Sequence, residues 1–395
     1  MPHDIERLPD WGDYLQQLQP IGQVVVDTIH DPDNPQAQQE TWRSLMAMIG
    51  HGVIALVQSD PDYPEFVCVT NLAFNILTPN PDFMYTWTPV RAEGAYRLRG
   101  SRGTGPFTEL TFLNGWYPME HNNGTVGTLN LDDLTLTADG AFDVLVSPKR
   151  PADHSGDWFQ MPERCDGIIV RSTCYDWVNE RDSVIAIERL DVPAIRPRMS
   201  AKQLSERLGG LAKWAERACN RHHLRLKELD AQGLHNTLQM YDYSSWGGAK
   251  GQIYVEGLYS LADDEALIIE TDVPDVARYW AWMVTDDQIG TIDWMNRQSS
   301  INGFQAEMDS DGKFRAVVSN RDPGIANWLD TGGYNYGMIW GRWNWCSSHP
   351  MPTLRKVRMD ELDQHLPVDT PRITSETRDA MLRMRRFGAQ LRRKW

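Results

Sequence analysis

The chain is predicted to be mainly β with helices: two tandem, duplicated antiparallel β-sandwich units of jelly-roll type joined by a helical linker. Three observations predict this. The stretch "TADGAFDVLVSPKRPADHSGDW" at 137–158 returns as "DSDGKFRAVVSNRDPGIANW" at 309–328, both copies alternate apolar and polar residues with period two, and a helix-patterned stretch separates them.

At an offset of 172, Asp139 falls on Asp311, Gly140 on Gly312, Phe142 on Phe314, Val146 on Val318, Ser147 on Ser319 and Pro151 on Pro323. After a two-residue deletion Trp158 meets Trp328 and Gly167 meets Gly337; one insertion later Arg171 meets Arg342. Upstream, "TELTFL" at 108–113 lies opposite "WAWMVT" at 280–285, and "AYRLRG" at 95–100 opposite "ALIIET" at 266–271. In the first copy Leu134 and Leu136 lead into Asp139-Gly140 and out through Phe142, Val144 and Val146. In the second, Phe304, Ala306 and Met308 lead into Asp311-Gly312 and out through Phe314, Ala316 and Val318. Asp-Gly between period-two runs predicts a type I′ hairpin. Several short strands per copy predict a sandwich.

Helices are expected at 36–50, from the N-cap Ser200 through Leu204, Leu208 and Leu211, and at 375–393 after Thr374. Gly209-Gly210 marks a potential kink in the second, and Met381, Met384, Phe387 and Leu391 share one side of the third. The resulting division is an N-terminal helical segment 1–66, a first sandwich 67–195, a helical linker 196–235, a second sandwich 236–360 and a basic C-terminal helix 361–395.

With 395 residues, 41% hydrophobic and 24% charged, the chain has ordinary globular composition and room for a large core. A net charge of −15 argues against nucleic-acid binding, which needs cations for the phosphates. Residues 372–395 hold eight basic side chains against Glu376 and Asp379, so this tail is suited to packing on the acidic body. The cysteines, Cys68, Cys165, Cys174, Cys219 and Cys346, are odd in number without a C-x-x-C pair, which supports neither a zinc ribbon nor a disulfide framework. The acidic start "MPHDIERLPDWGDY" lacks a signal-peptide core, and "LMAMIGHGVIALV" at 45–57 is too short to span a bilayer, so a cytoplasmic protein without membrane partners is expected.

The segments "DWMNRQSSINGFQ" at 293–305, "DGKFRAVVSNRDPGIANWLDTGG" at 311–333 and "GMIWGRW" at 337–343 resemble the bacterial domain-of-unknown-function family twelve-fourteen. "TPNPDFMYTWTPV" at 78–90 resembles the Asn-Pro-Asp-x-x-Tyr segment of its relatives, which often carry the partner family twelve-fifty-four ahead of it. The resemblance covers most of residues 70–358. It implies a pair of β-sandwich units with helices and brings no established reaction.

Of 16 tryptophans, Trp280, Trp282, Trp294, Trp328, Trp340, Trp343 and Trp345 cluster in the second copy. Core packing is the ordinary reading of any one of them. On "RYWAWMV", however, Trp280 and Trp282 share one face and Tyr279, Ala281 and Met283 the other; "WGRWNWC" alternates Trp343 and Trp345 with Arg342 and Asn344. Two large faces predict an aromatic-lined ligand surface in addition to a core. Candidate substrate-binding residues are Trp280, Trp282, Trp294, Asn296, Asn302, Arg342 and Trp343. Candidate catalytic residues are Asp293 and Asp82 for acid and base work, with Tyr85 and Arg297 orienting. Residues present in one copy alone are the better catalytic candidates; Arg171 and Arg342, matched between copies, also read as structural.

His222 and His223 are helix neighbours pointing apart; His121, His154 and His349 sit in loop-like surroundings, and no H-E-x-x-H occurs, so no metal and no cofactor are expected. "RGSRGTG" at 99–105 lacks the lysine of a phosphate loop, no G-x-S-x-G elbow is present, and Asn123-Gly124-Thr125 matters as a sequon only on secretion. The leading expectation is a cofactor-independent hydrolase, lyase or isomerase for a small, largely apolar or aromatic-ring substrate. The alternatives are a non-catalytic carbohydrate- or lipid-binding protein and a homo-oligomeric scaffold.

Overall fold

The computed structural model describes residues 8–27, 30–115, 124–243, 247–249 and 251–392. His121 and Asn123 lie outside these, as do the side chains of Cys219, His222 and His223.

Helices α1 (Trp11–Val26) and α2 (Pro35–Gly52) precede the first unit, which contains β1 (Val67–Thr70), β2 (Phe83–Pro89), β3 (Tyr96–Ser101), β4 (Thr108–Asn114), β5 (Gly124–Asn130), β6 (Ala141–Ser147), β7 (Asp157–Gln160), β8 (Gly167–Thr173) and β9 (Val184–Arg189). The linker is α3 (Ala201–Ala231). The second unit contains β10 (Gln239–Tyr241), β11 (Gln252–Ser260), β12 (Glu265–Thr271), β13 (Ala277–Val284), β14 (Ser300–Asn302), β15 (Phe314–Ser319), β16 (Trp328–Asp330), β17 (Tyr336–Cys346) and β18 (Thr353–Arg358), and α4 (Ser375–Leu391) closes the chain.

Each unit is a sandwich of a five-stranded and a four-stranded sheet. The first pairs β1-β2-β8-β4-β5 with β7-β6-β3-β9, the second β10-β11-β17-β13-β14 with β16-β15-β12-β18. The orders correspond strand for strand, so the duplication read from the sequence is a duplication of topology. Phe142 and Phe314 are both buried, in the two sandwich cores.

The recurring turn differs from the expected type I′. Gly140 and Gly312 have φ of 80° and 78°, while Asp139 and Asp311 stay outside the left-handed region. Thr137 N–H donates to the Ala141 carbonyl and Gly140 N–H back to Thr137 at 2.9 Å each; Asp309, Gly312 and Lys313 repeat the pattern. This is the three-residue turn in which only the glycine must be left-handed. The residues before it do not form the expected ladder arms, and Phe304 is exposed.

The Ser200 cap closes a capping box with Gln203, and α3 runs through Gly209-Gly210 without interruption. Thr374 caps α4. That helix buries Arg378, Arg385 and Arg392 and leaves Met384, Phe387 and Leu391 about half exposed, the reverse of an apolar docking face. Its seat is polar: Arg378 donates to Asp322, Arg385 to the Trp294 carbonyl, and Arg392 to Asp182 and the Asp82 carbonyl. Among the described residues no helix is long and apolar enough to cross a membrane.

The two five-stranded sheets lie inside, back to back, so both of their faces are covered. Trp280, Trp282 and Trp343 point into the second sandwich core with Phe314 and Leu267. On the opposite face of β13, Tyr279 and Ala281 pack against Phe83 and Phe107 of the first unit, and Met283 packs with Leu226 and Leu229 of α3. Two large faces on one strand are thus both satisfied by packing, because a neighbouring layer covers each. Trp282→Ala should therefore destabilise the fold by about 3–5 kcal/mol, seen as a lower urea midpoint at unchanged slope.

Candidate functional site

Packing between the inner sheets is incomplete. Where their covered faces meet the helices, a cavity of about 230 Å³ remains, lined by Tyr85, Trp87, Ile169 and Arg171 from the first unit and by Tyr254, Trp340 and Arg342 from the second, with His51 of α2 and Arg225 of α3 at its margin.

The lining is itself duplicated. In the first unit Tyr85 pairs with Arg171 across β2 and β8, and Trp87 with Ile169. In the second, Tyr254 pairs with Arg342 across β11 and β17, and Glu256 with Trp340. A cross-strand pair puts both side chains on one face of the sheet. Each unit therefore offers a Tyr-Arg pair to the same space.

Arg171 and Arg342 are both more than nine-tenths buried. Arg171 donates to Thr111 Oγ1 at 2.6 Å and, across the seam, to the Gly247 carbonyl at 2.7 Å. Arg342 reaches the Met283 sulfur at 2.8 Å and lies over the Tyr254 and Trp340 rings, 5.4 and 5.7 Å from their centroids. Burial raises the pKa of the Tyr85 hydroxyl, against the opposing pull of Arg342 and Arg171. Arg225 is compensated by Glu256 and Glu228, and Glu256 also accepts from Tyr243 at 2.5 Å. No Asp or Glu is among the described lining residues.

The backbone around the cavity is strained. Leu77, Thr78 and Ile289, with φ of 63°, 54° and 55°, line it, and they are three of the six non-glycine residues with positive φ among those described. For a β-branched residue such as Ile289 that region is a true outlier. Such positions cost roughly 1–3 kcal/mol each and concentrate at binding sites.

The residues expected from the sequence fall in five places. Tyr85 and Arg342 line the cavity. Trp280, Trp282 and Trp343 fill the second sandwich core. Asp293, Asn296 and Arg297 line a separate groove beside α4, where Asn296 donates to Asp293 at 2.7 Å and Arg297 to Asp330 at 3.0 Å. Asp82 and Asn302 belong to the seam: Asp82 accepts from Tyr279 and Asn302 at 2.7 Å and from Trp177 at 2.8 Å. Burial raises the Asp82 pKa, opposed by those three hydrogen bonds and by Arg392. Trp294 is buried with Cys174 and Trp177 and borders a small pocket of about 70 Å³. Asp293 and Asp82, expected to share a site, do not line a common cavity.

Sequence reasoning missed Trp87, Tyr254 and Trp340 as cavity residues. The match of Arg171 with Arg342 is the one sequence signal that points to this space.

The expected family is the one found. The profile of DUF1214, described as a protein of unknown function, matches residues 87–176 and 261–340. Each unit matches DUF1214. Of the residues that wall the cavity, Trp87, Ile169, Arg171 and Trp340 lie inside the matched segments, and Tyr85, Tyr254 and Arg342 lie just outside them or between them. The chain also resembles an uncharacterized protein from Burkholderia cenocepacia, at 26% identity and a TM-score of 0.81 over 89% of this chain and 97% of that one. It aligns with the VPA0106 protein from Vibrio parahaemolyticus at 11% identity and a TM-score of 0.45, over 86% and 100% of the two chains. No curated protein matches the chain. The arrangement of both units is thus shared with the Burkholderia protein, which is described with no activity.

Burial at the cavity margin has a measurable consequence. His51 is 2% exposed, and desolvation pushes its pKa down to about 3. Unfolding lets it bind a proton, so its contribution to stability is present above about pH 6.5 and is lost as the pH falls towards 3, at up to about 1.4 kcal/mol per pH unit. Asp287, pushed up to about 6 by burial, acts in the opposite sense, so the difference between two proteins isolates His51. His51→Gln should flatten the fall in stability between about pH 6 and 4 relative to wild type, measured by urea denaturation.

Proposed function

We propose that the protein binds a small, flat, largely apolar molecule in the cavity between its two units. The observation that carries this reading is the duplicated lining: two Tyr-Arg pairs, Tyr85 with Arg171 and Tyr254 with Arg342, converge with Trp87 and Trp340 on one space inside a fold that otherwise packs both faces of its inner sheets. Aromatic walls with a few directed polar groups are the usual composition of ligand cavities. The strained residues Leu77, Thr78 and Ile289 support it, since backbone strain is retained where the surroundings hold a surface in a required shape.

Turnover by carboxylates, the hydrolase, lyase or isomerase reading, draws less support from the same cavity, because Asp82 and Asp293 lie elsewhere and no described lining residue is acidic. Binding is the reading taken forward.

A thermal-shift screen tests it. Single-ring aromatic compounds should raise the melting temperature of the wild type, by mass action worth about 2.7 kcal/mol at a hundredfold excess over Kd, and sugars should not. Trp340→Ala should abolish the shift. A shift that survives Trp340→Ala, or its absence with every aromatic compound, would overturn the reading.

A further inference from the structure

The two halves of the cavity wall are copies, and their difference identifies what the cavity recognises. On the first unit, β4 runs beside β8 so that Glu109 stands opposite Arg171 and Thr111 opposite Ile169. Arg171 donates to Thr111 Oγ1 at 2.6 Å, and that hydroxyl donates to Glu109 Oε1 at 3.2 Å. The cation is linked through one hydroxyl to a buried carboxylate of the neighbouring strand.

On the second unit the same ladder positions hold other residues. Ala281 stands opposite Arg342, and Met283 opposite Trp340. Ala281 stands where the first unit has Glu109, and Met283 where it has Thr111, so the guanidinium meets a thioether at 2.8 Å and the Thr78 carbonyl at 3.5 Å. Its remaining neighbours are the Tyr254 and Trp340 rings. Among the described residues Arg342 has no ion-pair partner, although it is 4% exposed. Asp82, which bonds Tyr279 on the strand beside it, is committed to Tyr279, Asn302 and Trp177.

An arginine cannot shed its charge to escape burial, and a buried cation without an anion is strongly penalised. In one copy a carboxylate, Glu109, stands one hydroxyl away from the cation. We infer that in the other copy a bound organic acid supplies the anion: Arg342 is the receptor for the carboxylate of a single-ring aromatic or similarly flat apolar acid. This rests on the cavity reading above and narrows it. The planar guanidinium fork matches a carboxylate. Trp340, whose indole N–H has no acceptor among the described residues, supplies both a ring face and a further donor. A volume of about 230 Å³ suits one ring better than several, since drug-sized ligands occupy roughly 300–1,000 Å³. Arg171, held by Thr111 and the Gly247 carbonyl, and Arg225, held by Glu256, are structural ties.

The test compares acids with their uncharged isosteres. Benzoate, cinnamate and indole-3-carboxylate are titrated by calorimetry against the full chain beside benzamide, cinnamamide and indole-3-carboxamide. At least one acid should bind tenfold or more tighter than its amide, and R342M should erase that preference while still binding the amide. A second measurement needs no added compound. R342M removes an uncompensated charge and should melt at or above the wild-type temperature, whereas R171M cuts the ties to Thr111 and the Gly247 carbonyl and should melt lower.

Equal binding of acids and amides by wild type would overturn the role of Arg342 and leave the cavity reading standing. Binding of neither series at millimolar concentration would remove the cavity reading and this inference with it. An R342M protein that melts as low as R171M would show Arg342 to be a structural tie and overturn the inference on that ground alone.

Discussion

A buried carboxyl group at the join of two duplicated sandwiches sets the relation between them. Asp82, on the turn before β2, takes hydrogen bonds from Tyr279 and Asn302 of the second unit and from Trp177 of the first. Its backbone carbonyl receives Arg392 from the end of α4. Removing an acid from water costs free energy that only directed donors recover. Three segments distant in sequence must therefore reach this point together. Tyr279 is shared further, since Asn80 donates to its hydroxyl at 2.7 Å, so the two inner sheets are registered as well as apposed.

That registration explains the rest of the middle of the molecule. Once the inner sheets are back to back, a central strand has two covered faces and reads as a near-continuous run of large residues, as "ARYWAWMV" does in β13. An isolated sandwich would show clean alternation between core and solvent. Phe83, Phe107, Tyr279 and Ala281 pack closely at one part of the join, and elsewhere the packing is incomplete. The cavity occupies the place where the two Tyr-Arg pairs face one another.

The architecture was legible in the sequence because duplication leaves a pattern that survives divergence. Asp139-Gly140-x-Phe142 and Asp311-Gly312-x-Phe314 mark the same turn and the same inward ring in both sandwiches. The precise turn was not legible: Asp-Gly suits both a two-residue and a three-residue hairpin, and hydrogen bonding by Thr137 and Asp309 selects the latter. Nor could periodicity say what covers each face of β13. Trp280 and Trp282 looked like a ligand surface because the layer that covers the opposite face comes from the other unit, a contact between Tyr279 and Phe83 that no local pattern records. The basic α4 misled for a related reason. Its arginines are buried against Asp322, Asp182 and backbone carbonyls, so charge and not hydrophobicity marks its inner side.

The preference for unmatched residues as functional deserves a different weighting in a duplicated protein. It assumes that a feature kept in both copies serves each copy separately, as a structural tie would. Where the copies face one another, matched positions instead converge, and a residue retained twice can contribute twice to one shared space. Arg171 and Arg342 are such a pair, and the information lies one strand away from them. Glu109 and Thr111 stand beside the Arg171 cation, whereas Ala281 and Met283 hold the matching positions beside Arg342 and offer it no carboxylate. A buried charge without a counterion costs stability. The half that carries a carboxylate thus supplies the reference state against which the half without one can be read.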